Sequence, residues 1–328
     1  MVGGIGASMD VVRFFADQPP ALLWGLGGVL GALTVAVAIT ALLSRLKPGK
    51  DYKNLRQRIA SWWVMIALLA AALLLGWLAT TALFAVISFI ALREFLSLAH
   101  MRPEDRLIML AAYLTIPLNY GLILIDRYGL YLVFVPVYVF LFLPFAMACI
   151  GQTRNYLPSA ATFHWGLMTC VYNLGFAAFL MRAPASEPLP AGPAGAVFLL
   201  LVATEANDVA QYVWGKLFGR RKIIPKVSPN KTWEGFLGGW ATSAALIWFL
   251  GPLFVPLHGL GLAVLALSLP VAGFAGDVTM SAVKRDIGVK DTSALIPGHG
   301  GILDRADSLI FTAPLYFHIV AYYGLEAF

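Results

Sequence analysis

Long apolar runs separated by short charged stretches dominate the chain. A membrane-spanning helix needs about 20 mostly apolar residues. Ten segments meet that description: 21–44, 61–79, 80–98, 107–125, 130–150, 161–181, 194–213, 236–256, 259–280 and 303–324. No charge separates the second from the third between Trp62 and Arg93. That stretch is too long for one helix without strong tilt, so it reads as two short spans with a turn at Thr80–Thr81. The expected fold class is therefore all-α, a polytopic transmembrane helical bundle of about ten spans.

The charges between the runs give this bundle a polarity. Lys and Arg in short loops mark the cytoplasmic side. The loop after the first run holds Arg45, Lys47, Lys50, Lys53, Arg56 and Arg58, and the stretch from Lys216 to Lys231 carries six basic residues. The loops with Arg102 and Arg106, with Arg154, and from Lys284 to Arg305 fall on the same side. The stretches around Arg127, from Arg182 to Pro193 and around His258 hold one basic side chain or none. Alternation holds through ten spans with the N-terminus outside. Acidic residues concentrate late in the chain, several at span ends: Glu205, Asp208, Asp277, Asp304 and Asp307. Ionisable groups at membrane depth are costly and face a cavity or a partner. The chain thus divides functionally into scaffold helices (1–193) and a chemistry-bearing region (194–328). Arg93-Glu94, at the end of the third span, reads as an interfacial charge pair.

Composition supports the membrane assignment. Of the 328 residues 60% are hydrophobic and 12% charged, with mean hydropathy +0.79, against about 25% charged in soluble domains. Cys149 and Cys170 both lie in apolar runs and imply neither a disulfide framework nor a zinc site. The first run is too long for the apolar region of a signal peptide and lacks its cleavage pattern. The net charge of +6 suits cytoplasmic loops facing anionic headgroups and an anionic substrate, not nucleic acid.

The candidate chemistry sits in two segments. In the first, Asp277, Ser281, Lys284 and Arg285 are spaced to share one helical face, and Asp304 and Asp307 share another. Carboxylates from two helices can hold a hard cation such as Mg²⁺. Lys284, Arg285, Lys290 and Arg305 would surround phosphate oxygens. Between the helices lies the turn Pro297-Gly298-His299-Gly300-Gly301, whose backbone N–H groups could approach an anion at a helix start. Metal carboxylates, cations and an N–H-rich turn describe a nucleoside triphosphate site. In the second segment, Asp208 precedes a basic stretch, Ser228-Pro229 opens a turn, and Lys231-Thr232 with Glu234 starts the next helix, where Ser, Lys and Thr could bind phosphate. No Walker A pattern is present.

Ser281-x-x-Lys284-Arg285, Lys290-Asp291 and His299-Gly300-Gly301-x-x-Asp304-Arg305-x-Asp307 resemble the signature of the phosphatidate cytidylyltransferase (CDP-diacylglycerol synthase) family, and Ser228-Pro229-x-Lys231-Thr232-x-Glu234-Gly235 resembles a second block of it. The resemblance covers the chain from about Asn207 onward. It implies transfer of CMP from CTP to phosphatidic acid, with CDP-diacylglycerol and pyrophosphate as products. Asp277, Asp304 and Asp307 would be the carboxylates for Mg²⁺, with room for a second cation. Lys284 and Arg285 would act beside them. Asp208, Ser228, Lys231, Thr232, Ser281, Lys290, Asp291, His299, Gly300, Gly301 and Arg305 would contact substrates. The expected location is a bacterial inner membrane with the catalytic loops cytoplasmic; a homodimer is compatible. One departure concerns Asp208-Val-Ala210-Gln211-Tyr212, where Gln211 replaces the family's aromatic or shifts it by one, with Trp214 bulky nearby. The alternatives are a CTP-using lipid-alcohol kinase, which would attack the γ-phosphorus, and a secondary transporter, against which the missing inverted repeat weighs.

Overall fold

In hydrocarbon every backbone N–H and C=O must find its partner within the segment, so apolar runs of this length become helices. The computed structural model describes residues 16–47, 51–99, 101–182 and 189–324. In chain order the helices are α1 (Pro20–Leu46), α2 (Lys53–Leu75), α3 (Trp77–Leu98), α4 (Arg106–Leu124), α5 (Tyr128–Cys149), α6 (Tyr156–Arg182), α7 (Gly192–Phe218), α8 (Trp233–Leu250), α9 (Gly259–Ile287), α10 (Leu303–Ala306) and α11 (Leu309–Gly324). Among the described residues nine helices are long and apolar enough to cross a membrane. The tenth expected span, 303–324, is divided: α10 is one turn and α11 is a 16-residue apolar helix. Lys50, part of the basic loop after α1, and much of the loop after Arg182 lie outside the described residues.

The expected turn at Thr80–Thr81 falls instead at Gly76. Its φ of +95° and ψ of −165° belong to a region open essentially to glycine alone. Thr80 is buried within α3 and donates its hydroxyl to the Ala72 carbonyl across the break, 3.0 Å away. The threonines therefore brace a glycine hinge and do not form the turn.

The bundle is all-α save for a two-stranded antiparallel ribbon, β1 (Lys222–Ile224) and β2 (Ser228–Thr232), between α7 and α8. Ser228 to Thr232, expected to open a turn and start a helix, form β2. Thr232 then caps α8, its Oγ1 accepting from the Gly235 N–H at 3.1 Å. Helix α6 is the most enclosed span and α1 the least. Helices α7, α8 and α9 pack around Asn207, whose amide donates to the Pro270 carbonyl (3.2 Å) and accepts from Ser243 (3.3 Å). The backbones of α7 and α8 approach so closely that a Cβ on Gly239 would strike the Gln211 side chain. Small residues at helix contacts permit such approach in membranes. The Thr204 and Thr312 hydroxyls, 2.9 Å apart, and the Tyr316 hydroxyl donating to the Ala196 carbonyl at 2.9 Å tie α11 to α7.

Gly76→Ala is expected to cost about 1–3 kcal/mol from backbone strain, since nothing lies within 4 Å of the added methyl group. The thermal unfolding midpoint of the detergent-purified protein measures it; an unchanged midpoint would refute the hinge assignment.

Candidate active site

The signature loop between α9 and α10 is organised by two buried carboxylates. Asp304 Oδ2 accepts from the N–H of Thr292 (2.7 Å) and of Gly301 (2.9 Å), while its Oδ1 accepts from Lys284 Nζ at 2.8 Å. Glu94, from α3, accepts from the N–H groups of Ile302 (3.1 Å) and Leu303 (2.9 Å) and from the Ser293 hydroxyl (2.7 Å). The Thr292 hydroxyl lies 3.0 Å from both Glu94 and Asp304 and its one proton serves either. Gly301 must be glycine, because a Cβ there would meet both the Thr292 hydroxyl and the Glu94 carboxylate.

Two sequence expectations change here. In the Pro297–Gly301 turn, read as an anion cradle, the Gly301 N–H is bonded to Asp304 and the His299 N–H to the Ile296 carbonyl, and the next two N–H groups, of Ile302 and Leu303, are bonded to Glu94. The anion at this helix start is the protein's own. Arg93-Glu94 is not a charge pair. Neighbouring helix positions do not face each other: Arg93 is exposed, while Glu94 is 6% exposed inside the bundle. The available signal was an acidic group at the end of an apolar span, which marks a functional position by default.

On α9, Asp277 accepts from Ser281 at 3.2 Å and pairs with Lys231 of β2 at 2.6 Å. Lys231 also sits 4.7 Å over the Phe274 ring. One turn along, Lys284 pairs with Asp304 and lies 3.9 Å from Asp307. Asp208 of α7 accepts from Ser308 at 2.8 Å, and its other oxygen is buried with no partner among the described residues. Asp277, Ser281 and Lys284 thus share the expected face. Arg285 leaves it: exposed, it donates to the Val227 carbonyl at 3.4 Å and the Val289 carbonyl at 3.2 Å, fastening the ribbon to the end of α9. It touches no site carboxylate. Thr232 caps α8 and also lines the first of the cavities described below. Glu234 accepts from the Arg220 N–H at 3.0 Å and holds the stretch before β1.

The candidate residues line two cavities. The first, of about 190 Å³, is bounded by Asp208, Gln211, Tyr212, Ser228, Asn230, Lys231, Phe236, Phe274 and Asp277. Gln211 Nε2 is buried beside it without a partner, so the departure from the family pattern places an amide on the cavity wall. The second, of about 590 Å³, gathers Lys290, Asp291, His299, Gly300 and Arg305 against Asn54 and Arg58 of α2. Between them stand Asp304, Lys284 and Asp307. His299 packs edge-on against Trp62, ring centres 5.8 Å apart. Burial, then the positive charges of Arg305 and Arg58, hold its pKa below the ordinary value, so it is neutral at pH 7. Burial acts to raise the Asp304 pKa, but the hydrogen bonds from Lys284, Gly301 and Thr292 outweigh it and keep this group ionised.

Comparisons with known proteins place the sequence in a family. The sequence profile of the cytidylyltransferase family matches residues 56–323. The chain is 40% identical over 297 residues to the uncharacterized protein YnbB of Escherichia coli (strain K12), covering 90% of this chain and 97% of that protein. It is 39% identical over 147 residues to the phosphatidate cytidylyltransferase of Brucella suis, covering 45% of this chain and 54% of the relative. With that of Bacillus subtilis it shares 39% identity over 129 residues, 39% of this chain and 48% of the relative. The matches to these two phosphatidate cytidylyltransferases thus span about half the length of each. The chain belongs to the cytidylyltransferase family and is a membrane enzyme of the nucleotidyltransferase class.

Glu94→Ala leaves two backbone N–H groups and the Ser293 hydroxyl short of an acceptor, and is expected to lower stability by at least about 3 kcal/mol. Hydrogen–deuterium exchange should rise selectively at residues 292–303, with Glu94→Gln intermediate. Unchanged protection there would show that Glu94 does not hold the loop.

Proposed function

We propose that the protein transfers CMP from CTP to phosphatidic acid, releasing pyrophosphate and forming CDP-diacylglycerol, with its site on the cytoplasmic face of a bacterial inner membrane. The observation that carries this reading is the charge pattern between the two cavities. Four carboxylates, Asp208, Asp277, Asp304 and Asp307, face two lysines, Lys231 and Lys284. Buried charge in excess of its partners calls for a counter-cation, and an oxygen-only donor set suits Mg²⁺.

Among the described residues no three His, Cys, Asp or Glu side chains form a metal cluster by themselves. A Mg²⁺ ion would therefore be held jointly by protein carboxylates and substrate phosphates, as is usual for this ion. The unpartnered Asp208 oxygen fits that role. Asp277 and Asp307 fit it too, whereas Asp304 uses one oxygen to hold the loop and the other to pair with Lys284. When bound, Mg²⁺ supplies neutralisation of the triphosphate charge.

The protein's own part is positioning. Lys231, with Ser228 and the aromatic rings around it, would receive the nucleotide, and Lys284 would neutralise charge developing on the phosphates. In the step itself, an oxygen of the phosphatidate phosphate attacks the α-phosphorus of CTP. The bond from that phosphorus to the bridging oxygen of the β-phosphate breaks, and pyrophosphate leaves. A phosphate monoester has its second pKa near 6, so the nucleophile needs no general base at pH 7. That accords with a neutral, buried His299 placed away from the carboxylates.

Purified protein with Mg²⁺, CTP and phosphatidic acid is expected to release pyrophosphate in step with CDP-diacylglycerol. Asp277→Asn or Asp307→Asn should lower turnover by at least about 100-fold, as the loss of a group that stabilises the transition state does. Release of CDP with a lipid alcohol as acceptor would establish the kinase alternative instead. Full turnover in both variants would remove the carboxylates from the mechanism.

A further inference from the structure

The second cavity joins the signature loop to α2. Arg58 donates from Nε to the Gly298 carbonyl at 2.9 Å, and Ser61 donates to the Pro297 carbonyl at 2.9 Å. The terminal nitrogens of Arg58 make no hydrogen bond among the described residues, nor does the Lys290 ammonium, and Arg305 Nε is buried without a partner. Three cations thus converge on one cavity whose only carboxylate is that of Asp291. Arg58 and Lys290 are exposed and Arg305 is half-buried, so together they make a positive patch on the cavity wall, where guanidinium forks and an ammonium suit phosphate oxygens.

We propose that this cavity receives the phosphate monoester of the lipid acceptor, with Arg58 of α2 as a phosphate-binding residue beside the signature cations. The inference rests on the reading of the chain as a lipid cytidylyltransferase and assigns its two substrates to different cavities. Depth supports the lipid as the source. Arg58 lies one turn before Trp62-Trp63, where the apolar stretch of α2 begins. Tryptophans mark the headgroup level of a span, so the cavity stands where a lipid phosphate stands. The first cavity, with its aromatic rings and Lys231, is left for the nucleotide.

Arg58 also steadies the Gly298 turn, so the primary variant is Asn54→Asp. It places a negative charge on the exposed wall of the cavity and removes no bond to the loop. Arg58→Lys is the second variant, keeping charge but losing the forked donors. With the full-length protein in detergent, the KM for dihexanoyl phosphatidic acid should rise about tenfold in Asn54→Asp, with the KM for CTP changed less than about twofold; Arg58→Lys should shift the same constant. A rise in the CTP constant alone, or parallel changes in both, would assign the cavity to nucleotide phosphates and overturn the proposal; so would two unchanged constants. Equilibrium binding of dihexanoyl phosphatidic acid without CTP separates this failure from that of the function. Binding weakened by Asn54→Asp in a protein that turns over no CTP would retain the cavity assignment and discard the activity. Binding indifferent to the variant would discard the assignment.

Discussion

The acceptance by Glu94 of hydrogen bonds from Ser293, Ile302 and Leu303, with Thr292 shared between it and Asp304, holds the site together. A carboxylate inside a bundle is tolerable only when its lone pairs are filled, and four donors from the signature loop are in reach to fill them. The same bonds give the loop a single conformation. With the loop fixed, Asp304 is turned toward Lys284, and Lys284 is held between Asp304 and Asp307. The chain from α3 through the loop to α9 is one connected polar network in a protein that otherwise packs by apolar contact.

This network also explains how charge is distributed. Lys231 and Lys284 each rest on a carboxylate of the α9–α10 region, while Arg58, Lys290 and Arg305 have none. The paired lysines sit where a cation and triphosphate would meet, and their ion pairs can be exchanged for contacts with phosphate. The unpaired cations gather in a separate cavity at headgroup depth. Two phosphate-bearing substrates need two such environments close to one another, and the loop that Glu94 holds forms the wall between them.

Several particulars were legible along the chain and others were not. Helical spacing on α9 correctly put Asp277, Ser281 and Lys284 on one face. The same spacing included Arg285, which lies a further 100° around the helix and turns instead to the Val227 and Val289 carbonyls. The glycine-rich turn was visible as a turn. That Asp304 takes the Gly301 N–H, and Glu94 the two N–H groups that follow the turn, could not be seen, because Glu94 is some 200 residues distant in sequence. The break between α2 and α3 was anticipated, but at Thr80–Thr81, since pattern alone does not weigh a positive φ at Gly76 against two polar residues. The division into scaffold (1–193) and catalytic (194–328) parts is crossed at the site by Glu94, Arg58 and Asn54.

Hydropathy by itself determined the class of fold, since a chain with so few charges and such long apolar runs can satisfy its backbone in a bilayer only as helices. Local spacing and the signature motifs determined the family and most of the candidate chemistry, because those residues lie within a turn or two of one another. Only the tertiary structure decided that Glu94 of α3 and Asp304 hold the signature loop, which lysine meets which carboxylate, and that α2 lines the second cavity. Those are contacts between helices far apart in the chain, and helical periodicity states which face a residue occupies without stating what packs against it.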